Sequence, residues 1–92
     1  MIRTKHNAIL VTNQHRQIIA ELTYFLLPSQ NWLLEQFFAS SRANRKRYLE
    51  PLIQTFFKTV PKREHCVRIL DPLIKADLKK RSTYQKYLHQ VI

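Results

Sequence analysis

The 92-residue chain contains no glycine. Glycine is the residue that most readily adopts positive φ angles and lets a backbone approach a ligand closely. Its absence excludes the P-loop, the G-x-G-x-x-G dinucleotide turn and the G-x-S-x-G nucleophile elbow. Two-residue β-hairpins also favour glycine, so we expect few antiparallel strands. The chain is therefore predicted to be helical.

Length and charge narrow the class of protein further. Ninety-two residues are enough for one domain, and a hydrophobic fraction of 45% is ordinary for a folded chain. Sixteen Lys and Arg stand against six Asp and Glu, which gives a formal net charge of +10. We predict an all-α fold, a compact bundle of five or six short helices that contains a helix-turn-helix.

The chain divides into three parts within this single helical domain, 1–92. Residues 1–12 are interpreted as an N-terminal arm. Residues 13–41 are predicted to form core and oligomerisation helices, because 17–41 has no basic residue and its apolar side chains recur at helical spacing. Residues 42–92 form a basic helical half, with thirteen basic and four acidic residues.

Helix boundaries follow from prolines and capping residues. A helix over about 13–27 ends at Pro28, and a second covers about 30–41. Proline suits the first helical position and is costly inside a helix. We therefore expect helices to start at Pro51, with Glu50 as its cap, and at Pro72, with Asp71 as its cap.

Two further helices complete the predicted bundle. One is expected over 61–70, with Cys66 facing inward. The other is expected to begin at Ser82, where Ser82 and Gln85 form a capping box. Tyr24 is predicted to point away from the apolar stripe of its helix, towards a partner.

Catalytic and metal-binding readings have little support in the sequence. No two carboxylates are closely paired, and the four histidines show no metal-ligand spacing. We expect no enzyme activity, no cofactor and no metal site. Cys66 is the only cysteine and no signal-peptide pattern opens the chain, so the cytoplasm is the expected compartment. No apolar run approaches the length of a membrane span.

The basic residues carry the functional prediction. A surface adapted only for solubility mixes both signs, whereas this half is strongly biased towards positive charge. Nucleic acid is the leading partner, with double-stranded DNA favoured over RNA. The residues predicted to bind DNA are Arg45, Lys46, Arg47, Lys62, Arg63, Arg68, Lys75, Lys79, Lys80 and Arg81.

Part of the chain resembles a known family. The matching pieces are Leu26-Leu27-Pro28, Glu35 with Phe37-Phe38, Ser40-Ser41, Phe56-Phe57-Lys58 and Lys62-Arg63-Glu64-His65-Cys66. Over residues 25–69 they resemble the PapB-like regulators of adhesin and fimbrial biosynthesis.

The resemblance implies an oligomeric helix-turn-helix protein that binds DNA and regulates transcription. The first helix of that motif would match 61–70, and the reading helix would fall near 72–81. Lys75 and Lys79 would then face the major groove, while Lys62 and Arg63 would clamp phosphate. A homodimer is expected, because one short helix contacts few base pairs, and the apolar faces of 17–41 are the predicted dimer surface.

A second class of function stays open. A basic helical protein also suits an adaptor or inhibitor that docks on an acidic surface of a nucleic-acid enzyme or regulator. A third reading places the basic amphipathic surface on anionic membranes. Failure to shift DNA at moderate salt, together with capture of one acidic protein partner, would favour the adaptor.

Overall fold

The computed structural model describes residues 2–88 and has a mixed α/β fold. Five strands form one sheet, and two α-helices and a short 3₁₀ helix complete the described chain. The predicted all-α bundle is therefore wrong. The elements are β1 (Ile2–Lys5), β2 (Ala8–Thr12), β3 (Ile18–Leu26), β4 (Trp32–Ala39), α1 (Arg42–Thr59), β5 (Val67–Ile69), α2 (Pro72–Lys79) and the 3₁₀ helix (Gln85–Tyr87).

The first four strands form an antiparallel meander, and β5 joins its end. The strand order is the order of the sequence, β1-β2-β3-β4-β5. Strand β5 runs parallel to β4, which requires the long connection that α1 provides. The predicted N-terminal arm over 1–12 is wrong for its described part, because β1 and β2 form a hairpin there.

The hairpins form without glycine because other residues accept the left-handed conformation. Asn7 has φ 63°, Arg16 has φ 63° and Gln30 has φ 69°, and each lies in the turn between two consecutive strands. Asn tolerates this region, since its short side chain bonds locally, whereas Arg and Gln adopt it at a cost of about 1 kcal/mol each. The argument from missing glycine was wrong, because positive φ is expensive for these residues but not forbidden.

The two helices predicted within 13–41 are strands. Along β3, Ala20, Leu22 and Tyr24 are buried, and the residues between them are more exposed. This period of two is that of a strand with one face against the core. Tyr24 is 6% exposed and its ring meets Phe56 edge-on at 5.2 Å, so the prediction that it points away from the core is also wrong.

One buried cluster holds the sheet and both helices together. It draws on β2 to β5, α1 and α2, with Leu22, Leu34, Phe56 and Ile74 among its fully buried members. Leu10 is buried but lies outside this cluster. Both helices therefore cover the same face of the sheet, and the opposite face carries no helix in the described chain.

Helix α1 begins nine residues earlier than the predicted start at Pro51, at Arg42. Ser41 is its cap, and the Ser41 hydroxyl accepts a hydrogen bond from the Asn44 N–H at 3.1 Å. Glu50 is thus an exposed helical residue and not a cap. Pro51 lies inside the helix, where its ring removes one hydrogen bond to the preceding turn.

The remaining helix predictions had mixed outcomes. The helix at Pro72 is confirmed, with Asp71 as its cap. The helix over 61–70 is wrong, because that stretch is a loop followed by β5, and the helix-turn-helix is lost with it. The capping box at Ser82 is also wrong, since only 85–87 form a short 3₁₀ helix with Tyr84 before it; the rest of that prediction lies outside the described residues.

The predicted dimer surface lacks its structural basis. The helical faces assigned to 17–41 do not exist, and many of their apolar side chains belong to the core. Dimerisation itself stays a prediction.

Candidate functional site

Helices α1 and α2 lie side by side in one layer over the sheet. They follow β4 and β5, which are parallel neighbours, so their first turns meet at the same end of the sheet. Further along, Arg81 Nη1 bonds Glu50 Oε1 at 2.8 Å, and Arg81 Nε bonds Asp77 Oδ2 at 2.8 Å. This single guanidinium ties the middle of α1 to the end of α2.

The carboxylates in the helical layer are all engaged in these internal contacts. Glu50 and Asp77 are held by Arg81. The hydrogen bond from Arg81 and its charge lower the pKa of Glu50, while Glu50 and Asp77 raise the pKa of Arg81. Asp71 is buried, and its oxygens accept hydrogen bonds from three backbone N–H groups.

The cations of the same layer are not engaged in this way. Within residues 2–88 no salt bridge involves any of them, and all except the half-buried Arg45 are exposed. We call this set the basic face. Its members are Arg42, Arg45, Lys46 and Arg47 of α1, Lys75 and Lys79 of α2, and Lys80 at the end of α2; Lys58, in the last turn of α1, is also exposed and has no salt bridge within residues 2–88, but it is not counted with them.

Two surface depressions are lined by cations of the basic face together with other side chains. A cavity of about 390 Å³ lies beside β5, and Arg68, Lys75 and Lys79 are among the residues that line it. Its other walls are mainly apolar, from Val67, Ile69, Leu78 and Leu88. A second groove runs past Lys79, Lys80 and Arg81. Arg68 thus extends the basic face to the edge of the sheet.

Three predicted DNA-binding residues are not part of the basic face. Lys62 and Arg63 lie in the loop after α1, far along the chain from its basic first turns, and not at a helix N-terminus. The Arg63 guanidinium donates a hydrogen bond to the Gln30 carbonyl at 3.0 Å. Arg81 is engaged by two carboxylates. The helix N-terminus expected to place Lys62 and Arg63 against phosphate is therefore absent from the described chain, and their contact with DNA stays a prediction.

The face of the sheet that no helix covers carries charges of both signs. Its cross-strand partners include Arg3 beside Leu10 and Glu21 beside Phe38, so both signs of charge occur there. Glu35 also reaches this face, where it accepts a hydrogen bond from the Thr23 hydroxyl at 2.9 Å. Glu21 and Glu35 thus lie away from the helical layer, whereas the exposed carboxylate of Glu50 lies on α1 and is paired with Arg81.

Sequence reasoning did not single out three residues that are exposed in the structure. Arg42 belongs to the same basic cluster as Arg45, Lys46 and Arg47 in the sequence, but it was not among the residues predicted to bind DNA. Phe38 and Leu73 were not predicted as site residues, and they are 45% and 39% exposed. Strand alternation was the available signal for Phe38, because the adjacent Phe37 is buried.

Metal and thiol chemistry have no cluster to support them in the described part. Within residues 2–88 no three His, Cys, Asp or Glu side chains are placed to hold a metal ion. Cys66 is buried, and its thiol donates a hydrogen bond to the Arg63 carbonyl at 3.0 Å.

Membrane-spanning character and similarity to known proteins were also assessed. Neither helix between residues 2 and 88 has both the length and the apolar character that crossing a bilayer requires. No protein-family profile matches the chain, and no curated protein and no solved structure is significantly similar to it.

Proposed function

We propose that the protein binds double-stranded DNA through the basic face of its helical layer. The observation that carries this proposal is the segregation of charge within that layer. Its seven cations have no salt bridge within residues 2–88 and are exposed or, for Arg45, half-buried, whereas Glu50 and Asp77 are engaged by Arg81 and Asp71 is buried. A phosphate backbone approaching this face therefore meets an excess of cations, although Glu50 and Asp77 share the single positive charge of Arg81.

The placement of these cations on helices favours DNA over RNA duplexes. The major groove of B-form DNA admits an α-helix, while the major groove of A-form RNA is too narrow for side chains to read. The α1 residues Arg42, Lys46 and Arg47 are exposed along its first turns. Lys75 and Lys79 of α2 were predicted to read base edges in the major groove. In the proposed complex they contact phosphates beside the groove.

The strength of such binding should depend steeply on salt. Each neutralised phosphate releases condensed counterions, so log K falls with log salt at a slope of about −0.9 per contact. If four to six members of the basic face reach phosphate at once, the slope is about −4 to −5. The affinity is then essentially independent of sequence unless base edges are also contacted.

The experiment titrates a labelled DNA duplex with the purified protein between about 50 and 300 mM salt. The variant removes three charges from the basic face: Arg42→Gln, Lys46→Gln and Lys79→Gln. The matched control removes three charges from the hairpins: Arg3→Gln, Lys5→Gln and Arg16→Gln. We expect the first variant to reduce the slope by about two to three and the control to change it little.

Three outcomes would contradict the proposal. Equal losses in the two triple variants would mean that net charge alone drives the interaction. Binding that does not weaken between 50 and 300 mM salt would mean that the cations of the basic face do not reach phosphate. Tighter binding to an RNA duplex of the same length would contradict the preference for DNA.

A further inference from the structure

The sheet face opposite the helices, which we call the uncovered face, carries exposed aromatic side chains. Antiparallel sheets that face water on one side usually place polar residues there. Phe25 and Phe38 lie on the uncovered face, since their neighbours Tyr24 and Phe37 are buried in the core. They are 40% and 45% exposed. The uncovered face therefore offers apolar surface to a second layer of protein.

Charges on the uncovered face follow the order of the strands. Arg3 of β1 and Glu21 of β3 are both direct cross-strand partners of Leu10. Glu21 points away from the core, because Ala20 and Leu22 on either side of it are buried there. Directly opposed residues share one face of a sheet, so all three side chains of this row lie on the uncovered face. A cation and a carboxylate thus flank β2 at equal distances, about 4.8 Å to either side.

The next row of the uncovered face repeats this arrangement. Lys5 pairs with Ala8, and Ala8 pairs with Thr23. The Thr23 hydroxyl donates a hydrogen bond to Glu35 Oε1 at 2.9 Å, which holds that carboxylate beside β3. None of the charged side chains in the two rows takes part in a salt bridge within residues 2–88. The β1 side of the uncovered face is therefore positive, and the β3 side is negative.

We propose that a second copy of this chain packs on the uncovered face, with a two-fold axis that runs along β2. Such an axis exchanges the two sides of β2, so the cations of β1 in each protomer lie opposite carboxylates of the other. Arg3 then faces the partner's Glu21, and Lys5 faces the partner's Glu35. An axis across the strands, between the two rows, would instead bring Arg3 onto the partner's Lys5 and oppose like charges. The pattern of charge thus selects the axis along β2.

This inference goes beyond the proposed DNA binding, because it uses no member of the basic face. Both α-helices pack on the other side of the sheet. A dimer formed through the uncovered face therefore carries its two basic faces on opposite outer surfaces. Failure of either proposal leaves the other standing.

Charge reversal tests the pairing. Arg3→Glu or Glu21→Lys alone opposes like charges at two symmetry-related positions, whereas the double variant restores opposite charges. Sedimentation velocity would measure dimerisation. Overlap of only three strands makes a small interface, so the concentration series should extend to about 0.5 mM. We expect each single variant to weaken the dimer at least about tenfold, and the double variant to return within about threefold of wild type.

The loop after α1 supplies matched controls, Lys62→Glu and Glu64→Lys. Both residues are exposed, and neither lies in a strand. Their substitutions change the net charge by the same amounts as Arg3→Glu and Glu21→Lys, so they isolate the effect of net charge. We expect dimerisation to change little in these controls. Circular dichroism would verify that every variant is folded.

Several outcomes would overturn the inference. A wild-type protein that stays monomeric throughout the concentration series would do so. Single variants that dimerise as wild type does would place the contact on another surface. A double variant no stronger than the single variants would contradict the opposition of Arg3 to the partner's Glu21. Effects of the same size in the loop controls would mean that net charge alone governs association.

Discussion

The Asp71 carboxylate accepts a hydrogen bond from the backbone N–H of Phe37 at 2.9 Å, across 34 residues of chain. The same side chain accepts hydrogen bonds from the N–H groups of Leu73 and Ile74, at 2.7 and 3.1 Å. It therefore caps α2 and also completes the pairing of β4 beyond the end of β5. This one residue fixes the junction between the sheet and the second helix.

Asp71→Ala should destabilise the protein by about 2–4 kcal/mol. The change removes a helix cap, worth about 1 kcal/mol, and leaves the Phe37 N–H without its acceptor in a buried position. Urea denaturation followed by circular dichroism would measure the difference. Asp71→Ser provides the control, because serine can still cap α2 but is too short to bridge to β4. It should recover only about 1 kcal/mol; full recovery would contradict the bridging role.

Gln30→Gly should stabilise the protein by about 0.5 kcal/mol. Gln30 has φ 69°, a conformation that glycine adopts without the steric cost paid by other residues. Only its backbone atoms have hydrogen-bond partners among the described contacts, with Leu27 and Arg63. Thermal unfolding would measure the gain.

The control for this change is Ser29→Gly in the same turn. Ser29 does not have a positive φ, so glycine there only increases the entropy of the unfolded chain. It should lower stability slightly. If both glycine variants shift the melting temperature equally, strain at Gln30 is not the cause.

Pro51→Ala should stabilise α1 by about 1 kcal/mol. Pro51 lies inside the helix, where proline can cost about 3 kcal/mol, and the added freedom of the unfolded chain offsets part of the gain. Pro72→Ala is the matched control, because Pro72 lies at the start of α2, where proline is well tolerated. The midpoint of urea denaturation should rise for the first variant and not for the second; the reverse order would refute the interpretation.

Glu50→Gln should make the protein less stable at neutral pH but not in acid. Arg81 lowers the pKa of Glu50 in the folded state, so the stabilisation is present above the unfolded value, about 4.3, and is lost as the pH falls through the folded value. The urea midpoints of wild type and variant should differ at pH 7 and converge near pH 3. The effect is small, because this carboxylate is exposed to solvent.

Glu64→Gln is the reference for this titration. Glu64 is an exposed glutamate with no salt bridge within the described residues. Its variant removes the same negative charge without removing a contact to Arg81, so it measures the effect of net charge alone. A pH-dependent difference of equal size in the two variants would show that net charge, and not the contact with Arg81, is responsible.

Local signals in the sequence were reliable where a short-range interaction decides the conformation. Asp71 followed by Pro72 predicted the start of α2, because the cap and the fixed φ of proline act within one turn. The same pattern at Glu50 and Pro51 failed. Ser41 provides an earlier cap, and burial of Leu52, Ile53 and Phe56 against the sheet outweighs the cost of a proline inside α1.

The apolar segments of β3 and β4 were not decidable from their own spacing. All residues of 18–26 except Glu21 and Thr23 are apolar or aromatic, and such a run fits a helix as well as a strand. The pairing of Ala20 with Ala39 and of Leu22 with Phe37 resolves the ambiguity, but it joins residues that are far apart in the chain. The absence of glycine favoured the prediction of helices. In the structure, Arg16 and Gln30 adopt the positive φ angles that the turns between strands require.

The sequence by itself determined the charge: sixteen basic residues, thirteen of them after residue 41, and hence a net positive electrostatic field. Only the tertiary structure decided which of these cations are available. Arg81 binds Glu50 across 31 residues and Asp77 across four, and Arg63 contacts the Gln30 carbonyl across 33. Charge is a sum over the chain and can be read residue by residue. Pairing depends on distances that exist only after strands and helices have packed.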